Sequence, residues 1–165
     1  MGDWHDFFLA QAGAAGVLTG LVFVGVSINL EKIVSNPSSG LAGRAAEALI
    51  LLVGVLLASV LVLVPGQGLG VLGAELLVVG LATWGWVVYI QLRRLRSWGA
   101  MRPDLRGTFV LRVVLSQIAI IPVVIAGIAV LAGGLGGLYW LVAGTIFSMI
   151  VALFDAWVLL IEINR

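Results

Sequence analysis

The stretch that decides the fold is FFLAQAGAAGVLTGLVFVGVSINL, residues 7–30, which carries no charged side chain. An α-helix rises about 1.5 Å per residue, so a helix over this stretch would be about 36 Å long. The hydrocarbon core of a bilayer is only about 30 Å thick. The stretch therefore predicts a transmembrane helix.

The rest of the chain repeats this character. Hydrophobic residues make up 62% of the sequence and charged residues only 10%, whereas a soluble domain carries about 25% charged residues. We expect an all-α integral membrane bundle of five transmembrane helices that forms one domain over residues 1–165, because the connecting segments are short. The predicted helices cover about 7–30, 45–64, 69–92, 109–132 and 138–161.

The nine lysine and arginine residues are segregated along the chain. Five crossings place all of them on one side, which the positive-inside rule assigns to the cytoplasm. The N-terminus is then outside and the C-terminus cytoplasmic. Arg93, Arg94 and Arg96 also suggest a site for anionic lipid head groups, although such a cluster is more often a topology signal alone.

Small residues form faces on two of the predicted helices. Gly13, Gly16 and Gly20 follow helical spacing on the first helix, and Gly144 and Ser148 follow it on the fifth. Small residues let helix backbones approach closely in a membrane. We expect these faces to pack against other helices, and we expect the chain to form a homo-oligomer within the lipid bilayer.

Ionisable residues inside transmembrane segments are costly and often functional. Glu47, Arg112, Asp155 and Asn29 are predicted to occupy a similar layer near the cytoplasmic side, with Arg112 bonded to Asp155, Glu47 or both. Two interpretations remain open. The residues could line a polar pathway for ions or protons, or they could form a structural ion-pair network that fixes the register of the helices.

Pro122 falls in the middle of the fourth predicted helix and removes one backbone donor, so a kink is expected. Gln117 lies close enough to help satisfy the carbonyl that the proline leaves free. We therefore include Gln117 in the polar network.

Glu75 differs from the other acids because it lies near the outer end of the third predicted helix, at a depth without a basic residue. In an oligomer, a ring of Glu75 side chains could attract cations to a pore mouth. The alternative is a hydrogen-bonded acid that contacts head-group water. Its candidate partners are Gln11, His5 and Gln67.

The sequence offers little that is typical of catalysis. It has no cysteine, no HExxH motif and no phosphate-binding glycine loop that precedes a soluble helix. We therefore expect no enzymatic activity, no cofactor, no metal site and no nucleic-acid partner.

Several stretches together resemble a family of small actinobacterial multi-pass membrane proteins. They are WHDFFLAQAGAAGVLTGLVFVGVSINLEKI (4–33), RAAEALILLVGVL (44–56), LVPGQ (63–67), LRVVLSQIAIIPVVIAG (111–127) and YWLVAGTIFSMIVALFDAWVLLIEINR (139–165). Some members of that family are labelled automatically as modulators of the FtsH protease. The resemblance implies a five-helix unit in a bacterial inner membrane and supplies no catalytic residues.

Two functions follow as predictions. The first is a homo-oligomeric, channel-like protein with an ion pathway that uses Glu75 and Asp155 as functional acids. The second is a non-enzymatic regulatory or scaffolding subunit that binds a larger membrane complex, such as a membrane protease, through the first helix.

Overall fold

A computed structural model describes residues 2–35, 40–96 and 103–163. These residues form helices and, within the described ranges, no strand. The helices are α1 (Gly2–Ile28), α2 (Leu30–Ser35), α3 (Leu41–Val62), α4 (Leu69–Leu95), α5 (Pro103–Leu131) and α6 (Gly137–Ile163). All but α2 contain a stretch long and apolar enough to span a membrane. This confirms the predicted bundle of five membrane-spanning helices.

The helices differ from the prediction mainly at their ends. α4 continues through Arg93 and Arg94 to Leu95, and α5 begins at Pro103. A helix needs only backbone hydrogen bonds to continue past its apolar stretch, and proline is favoured in the first turn of a helix. The short helix α2 lies in the first connecting segment, where the sequence analysis expected no helix.

Four helices surround the centre of the molecule. Contacts run from α3 to α4, from α4 to α5, from α5 to α6 and from α6 back to α3, so these helices form a ring. α3 and α5 face each other diagonally across it. α1 packs mainly against α3, outside the ring. A side chain of α5 can therefore reach α3 only through the centre.

The two ends of the bundle differ in charge. α1, α4 and α6 end where α3 and α5 begin, and the described arginine and lysine side chains belong to these segments. We call this the basic end. At the opposite end, Gly133 ends α5 with a φ of 86°, and its N–H donates to the Val130 carbonyl at 2.9 Å. This left-handed conformation favours glycine.

Close packing in the ring depends on glycine. A Cβ atom added to Gly127 on α5 would lie 2.6 Å from the backbone nitrogen of Leu77 on α4. A Cβ added to Gly144 on α6 would lie 2.9 Å from the backbone nitrogen of Val123 on α5. In lipid, helices associate through van der Waals contact rather than through the hydrophobic effect, so these close approaches matter for stability.

The buried apolar side chains form three layers, which follow one another from the opposite end of the bundle to the basic end. Phe8, Leu76 and Leu138 are buried near the opposite end. Leu51 and Ile120 are buried in the middle. A smaller group at the basic end contains Ile33, Leu41 and Leu159. Buried polar side chains interrupt these layers at two depths.

Candidate functional site

Arg112 lies at the basic end and reaches from α5 across the ring. Its Nη2 atom is 2.6 Å from Oε2 of Glu47 on α3, and its Nε atom is 3.2 Å from Oδ1 of Asp155 on α6. Nη2 also donates to the Gly43 carbonyl at 3.4 Å. The side chains of Arg112, Glu47 and Asp155 are only 11%, 1% and 7% exposed. One buried cation therefore joins two buried carboxylates from different helices.

The Glu47 carboxylate is bound from several sides. Its Oε1 atom accepts hydrogen bonds from the Ser116 hydroxyl and from Gln91 Nε2, the latter at 3.2 Å. Its Oε2 atom contacts Arg112. Hydrogen bonds from several donors stabilise a carboxylate that is removed from water. Glu47 is therefore held in one position by side chains of α4 and α5.

A chain of hydrogen bonds leads to Glu47 from the outer surface of the ring. Trp84 Nε1 donates to Gln117 Oε1 at 2.8 Å, and Gln117 Nε2 donates to Gln91 Oε1 at 3.3 Å. Gln91 then donates to Glu47. Every donor in the chain points toward Glu47, so the chain fixes the carboxylate as the final acceptor.

Asp155 is much less completely bound. It is buried, and its Oδ2 atom accepts no hydrogen bond from the described residues. Its contact with Arg112 brings Oδ1 near Nε, but this Nε makes no aligned hydrogen bond. An unsatisfied buried polar atom carries a desolvation cost, and such an atom in a native fold calls for an explanation.

The charges around Asp155 come from two neighbouring helices. Arg112 of α5 is the nearest, and Glu47 and Arg44 of α3 also act on it electrostatically. Arg44 lies in the first turn of α3, at the end of the site nearest the head groups. The site therefore contains opposed charges, and each carboxylate competes for Arg112.

A second polar layer lies toward the opposite end and contains no charge. Gln11 Nε2 on α1 donates to Thr145 Oγ1 on α6 at 2.8 Å, and the Ser59 hydroxyl on α3 donates to Gln11 Oε1 at 3.0 Å. Thr145 donates onward to the Leu141 carbonyl at 2.8 Å. All three side chains are buried. We call Gln11, Ser59 and Thr145 the neutral layer.

We call Arg112, Glu47 and Asp155 the charged network. A small pocket lies at the centre of the ring, between this network and the neutral layer. Its polar lining comes from Thr83, Thr145 and Ser148, and its apolar lining includes Leu51 and Ile120. Leu51 follows Glu47 by one turn, and Ile120 follows Ser116 by one turn. Buried apolar side chains therefore separate the pocket from the charged network.

Two other predicted members of the network have different positions. Asn29 donates to the Gly25 carbonyl at 2.9 Å and so completes the last turn of α1. This bond lies within its own helix end, and the assignment of Asn29 to the polar network stays a prediction. Gln117 joins the network, but through Gln91 and Trp84. α5 continues through Pro122 without interruption.

Glu75 lies apart from the charged network and is partly buried on α4. Gln67 Nε2 donates to Glu75 Oε2. The other two candidate partners bond elsewhere, since Gln11 belongs to the neutral layer and His5 contacts Asp6 at 3.3 Å. Within the described ranges, no group of three or more histidine, aspartate or glutamate residues is placed to hold a metal ion.

The two predicted packing faces behave differently. Gly144 approaches α5 closely, and the buried Ser148 hydroxyl lies 3.5 Å from the Ala119 carbonyl. By contrast, no described atom lies within 4 Å of a Cβ added to Gly13 or Gly20, and at Gly16 one leucine methyl lies at 4.0 Å. Among the described residues, Gly13 and Gly20 therefore pack against no other helix, and Gly16 only touches α3.

The arginines at the end of α4 also divide in two. Arg93 and Arg96 are exposed. Arg94 Nη1 donates to the Gly40 carbonyl at 3.1 Å, and its guanidinium carbon lies 6.0 Å from the centre of the Phe109 ring. Gly40 has a φ of 74°, and its missing side chain leaves space for this guanidinium. Arg94 therefore holds α3 and α5 together at the basic end.

Sequence reasoning missed several polar residues of the core. Gln91 and Trp84 were not assigned to the network, and Ser59 and Thr145 were not singled out. Their helical spacing was a usable signal, since Thr145, Ser148 and Asp155 share one face of α6. The pairing between helices was not available from spacing, because it depends on which helices are neighbours.

Comparisons with protein-family models, with curated proteins and with solved structures give no match to this chain.

Proposed function

We propose that this chain is a homo-oligomeric, channel-like membrane protein with an ion pathway, and that Asp155 and Arg112 form its ion-handling site. The observation that supports the proposal is the Oδ2 atom of Asp155, which accepts no hydrogen bond from the described residues and is buried beside a guanidinium that already binds Glu47. A purely structural ion pair is expected to satisfy its buried atoms, because charges at membrane depth are costly.

The polar side chains beyond this site give the pathway a direction. From Asp155, the face of α6 presents Ser148 to the central pocket and Thr145 to the neutral layer. The apolar turn with Leu51 and Ile120 separates both of these side chains from Asp155. A hydrophobic constriction of this kind can act as a gate, since ions cross it only when it becomes wet. Conduction therefore requires the ring to open at this turn.

Ion flux into liposomes tests the proposal. Purified protein is reconstituted, a membrane potential is imposed, and proton and sodium fluxes are measured separately. We expect flux with the wild-type protein, loss of flux with Asp155→Asn, and unchanged flux with Glu31→Gln, which removes an exposed acid of α2. Flux in the wild type no greater than in empty liposomes would contradict the proposal, and so would equal flux in Asp155→Asn.

The proposal includes self-association through α1. At Gly13 and Gly20 no described atom covers this helix, and a second copy could approach it closely there. Replacing Gly13 and Gly20 by leucine should lower the oligomer mass in detergent without unfolding the chain. A strictly monomeric wild-type protein would remove this part of the proposal.

Orientation is the third part of the proposal. We assign the basic end to the cytoplasm of a bacterial inner membrane, because lysine and arginine are retained there. The chain has no cysteine, so single cysteines can be labelled selectively. Val64→Cys should react with an impermeant maleimide from outside, and Arg96→Cys only after the membrane is opened. The reverse pattern would overturn the orientation. Arg93 and Arg96 are then available to anionic lipid.

The second candidate is a regulatory or scaffolding subunit of a larger complex, such as a membrane protease. The bare face of α1 favours it as well, since a helix of another protein could occupy that face. Without flux in liposomes, and with a wild-type monomer, this candidate would replace the first. Co-purification of a defined complex that Gly13→Leu abolishes would support it.

A further inference from the structure

We infer that the ion bound at this site is a proton and that Asp155 carries it, while Glu47 serves as the fixed counter-ion of Arg112. This inference rests on the proposed ion pathway and divides the two carboxylates into different roles. Asp155 is the group that gains and loses the proton. Glu47 is a positioning residue that keeps Arg112 in place during both steps.

The hydrogen bonds of the two carboxylates support this division. Glu47 accepts hydrogen bonds from Ser116 and Gln91 on one carboxylate oxygen, and the other oxygen pairs with Arg112. Asp155 has one contact, the 3.2 Å approach of Arg112 Nε, and a buried oxygen with no hydrogen bond from the described residues. A proton could bind to this oxygen without breaking an existing bond. At Glu47 it would displace a donor.

The surrounding charges favour a proton over a metal cation. Arg112 of α5 lies 3.2 Å from Asp155, and the positive Arg44 and the negative Glu47 of α3 also act on it electrostatically. A metal ion needs several oxygen ligands, and the described residues offer no group of three acidic or histidine side chains. A proton needs only one lone pair. The Oδ2 atom of Asp155, which accepts no hydrogen bond from the described residues, offers one.

The step is balanced in the following way. A hydronium ion from the aqueous side at the basic end gives its proton to a lone pair of Asp155 Oδ2, and water leaves. A new O–H bond forms, and the carboxylate loses its charge. Arg112 then remains paired with Glu47 at 2.6 Å, so the buried cation keeps a counter-ion. Release reverses the step.

Infrared spectroscopy of the protein in lipid nanodiscs tests this assignment. The C=O stretch of a protonated carboxyl group is recorded as the pH is lowered, with the D₂O shift as its signature. We expect one such band from the core in the wild type and in Glu31→Gln. Asp155→Asn should lose it, Asp155→Glu should restore a shifted band, and Glu47→Gln should retain it.

The outcomes separate this inference from the proposed function. A band that persists in Asp155→Asn and disappears in Glu47→Gln would reverse the two roles and overturn the inference. Sodium flux in liposomes without any such band would overturn the proton while leaving the ion pathway standing. A band that depends on Asp155, in a protein without flux, would support the proton site and remove the pathway.

If Glu47→Gln does not fold, Ser116→Ala replaces it as the test of positioning. This variant removes one donor to Glu47 and keeps both carboxylates. We expect the Asp155 band to remain. A changed frequency of the band in a folded Ser116→Ala protein would show that the carboxyl signal belongs to Glu47, because Ser116 donates to Glu47 and not to Asp155.

Discussion

The two buried polar layers of this bundle differ in one respect that matters for function. In the neutral layer, Gln11, Ser59 and Thr145 satisfy one another across three helices. In the charged network, Arg112 holds Glu47 firmly and Asp155 incompletely. A polar layer whose buried atoms are all hydrogen-bonded serves packing and register. A layer with an unsatisfied buried atom retains a position that can bind an ion. The comparison therefore points to Asp155 rather than to the most strongly bonded groups.

The largest expected effect comes from removing the cation. Arg112→Gln leaves two buried carboxylates without a counter-ion, so we expect the free energy of unfolding to fall by about 3–5 kcal/mol. Unfolding in mixed detergent micelles measures it. A loss below about 1 kcal/mol would show that neither carboxylate depends on Arg112 and would break the contrast with the neutral layer.

The next effect separates the two acids. Glu47→Gln should lower the free energy of unfolding by about 1.5–3 kcal/mol, because it weakens hydrogen bonds to a charged group. Asp155→Asn should cost about 1 kcal/mol or less, because its contact with Arg112 is poorly aligned. The same unfolding assay compares them. Equal losses would mean that the two carboxylates are bound alike.

The smallest effect belongs to the neutral layer. Gln11→Leu removes the hydrogen bonds to Ser59 and Thr145, and hydrogen bonds between membrane helices average only about 0.6 kcal/mol each. We expect a loss of about 1 kcal/mol in the unfolding assay. As a control, Ala10→Leu changes the neighbouring exposed position of α1 and should cost nothing measurable. A larger loss in Gln11→Leu than in Arg112→Gln would reverse the ranking.

The fold was largely readable from the chain, and the site only in part. Apolar stretches such as residues 7–30 indicate membrane-spanning helices because the bilayer fixes their length. The grouping of Glu47, Arg112 and Asp155 was predicted from their similar depth and from the helix faces on which they lie. Depth also placed Asn29 in this layer, and its side chain bonds within α1, to the Gly25 carbonyl.

Depth could not supply the neighbours of each helix. Gln91 reaches Glu47 because α4 lies beside α3, and Gln11 reaches Thr145 because α1 lies outside the ring near α6. Glycine patterns were ambiguous for the same reason. Gly127 and Gly144 lie against a neighbouring helix, while Gly13 lies against none of the described helices. A small residue shows that an approach is allowed and does not show which helix makes it.

The most direct test of the central claim is the reaction of the buried acids with a hydrophobic carbodiimide, which modifies protonated carboxyl groups in membranes. The labelled protein is digested, and the modified residue is identified by mass spectrometry. The incomplete bonding of Asp155 predicts modification at Asp155, more at low pH than at high pH, with Glu47 unmodified. Modification of Glu47 in preference to Asp155 would contradict the account.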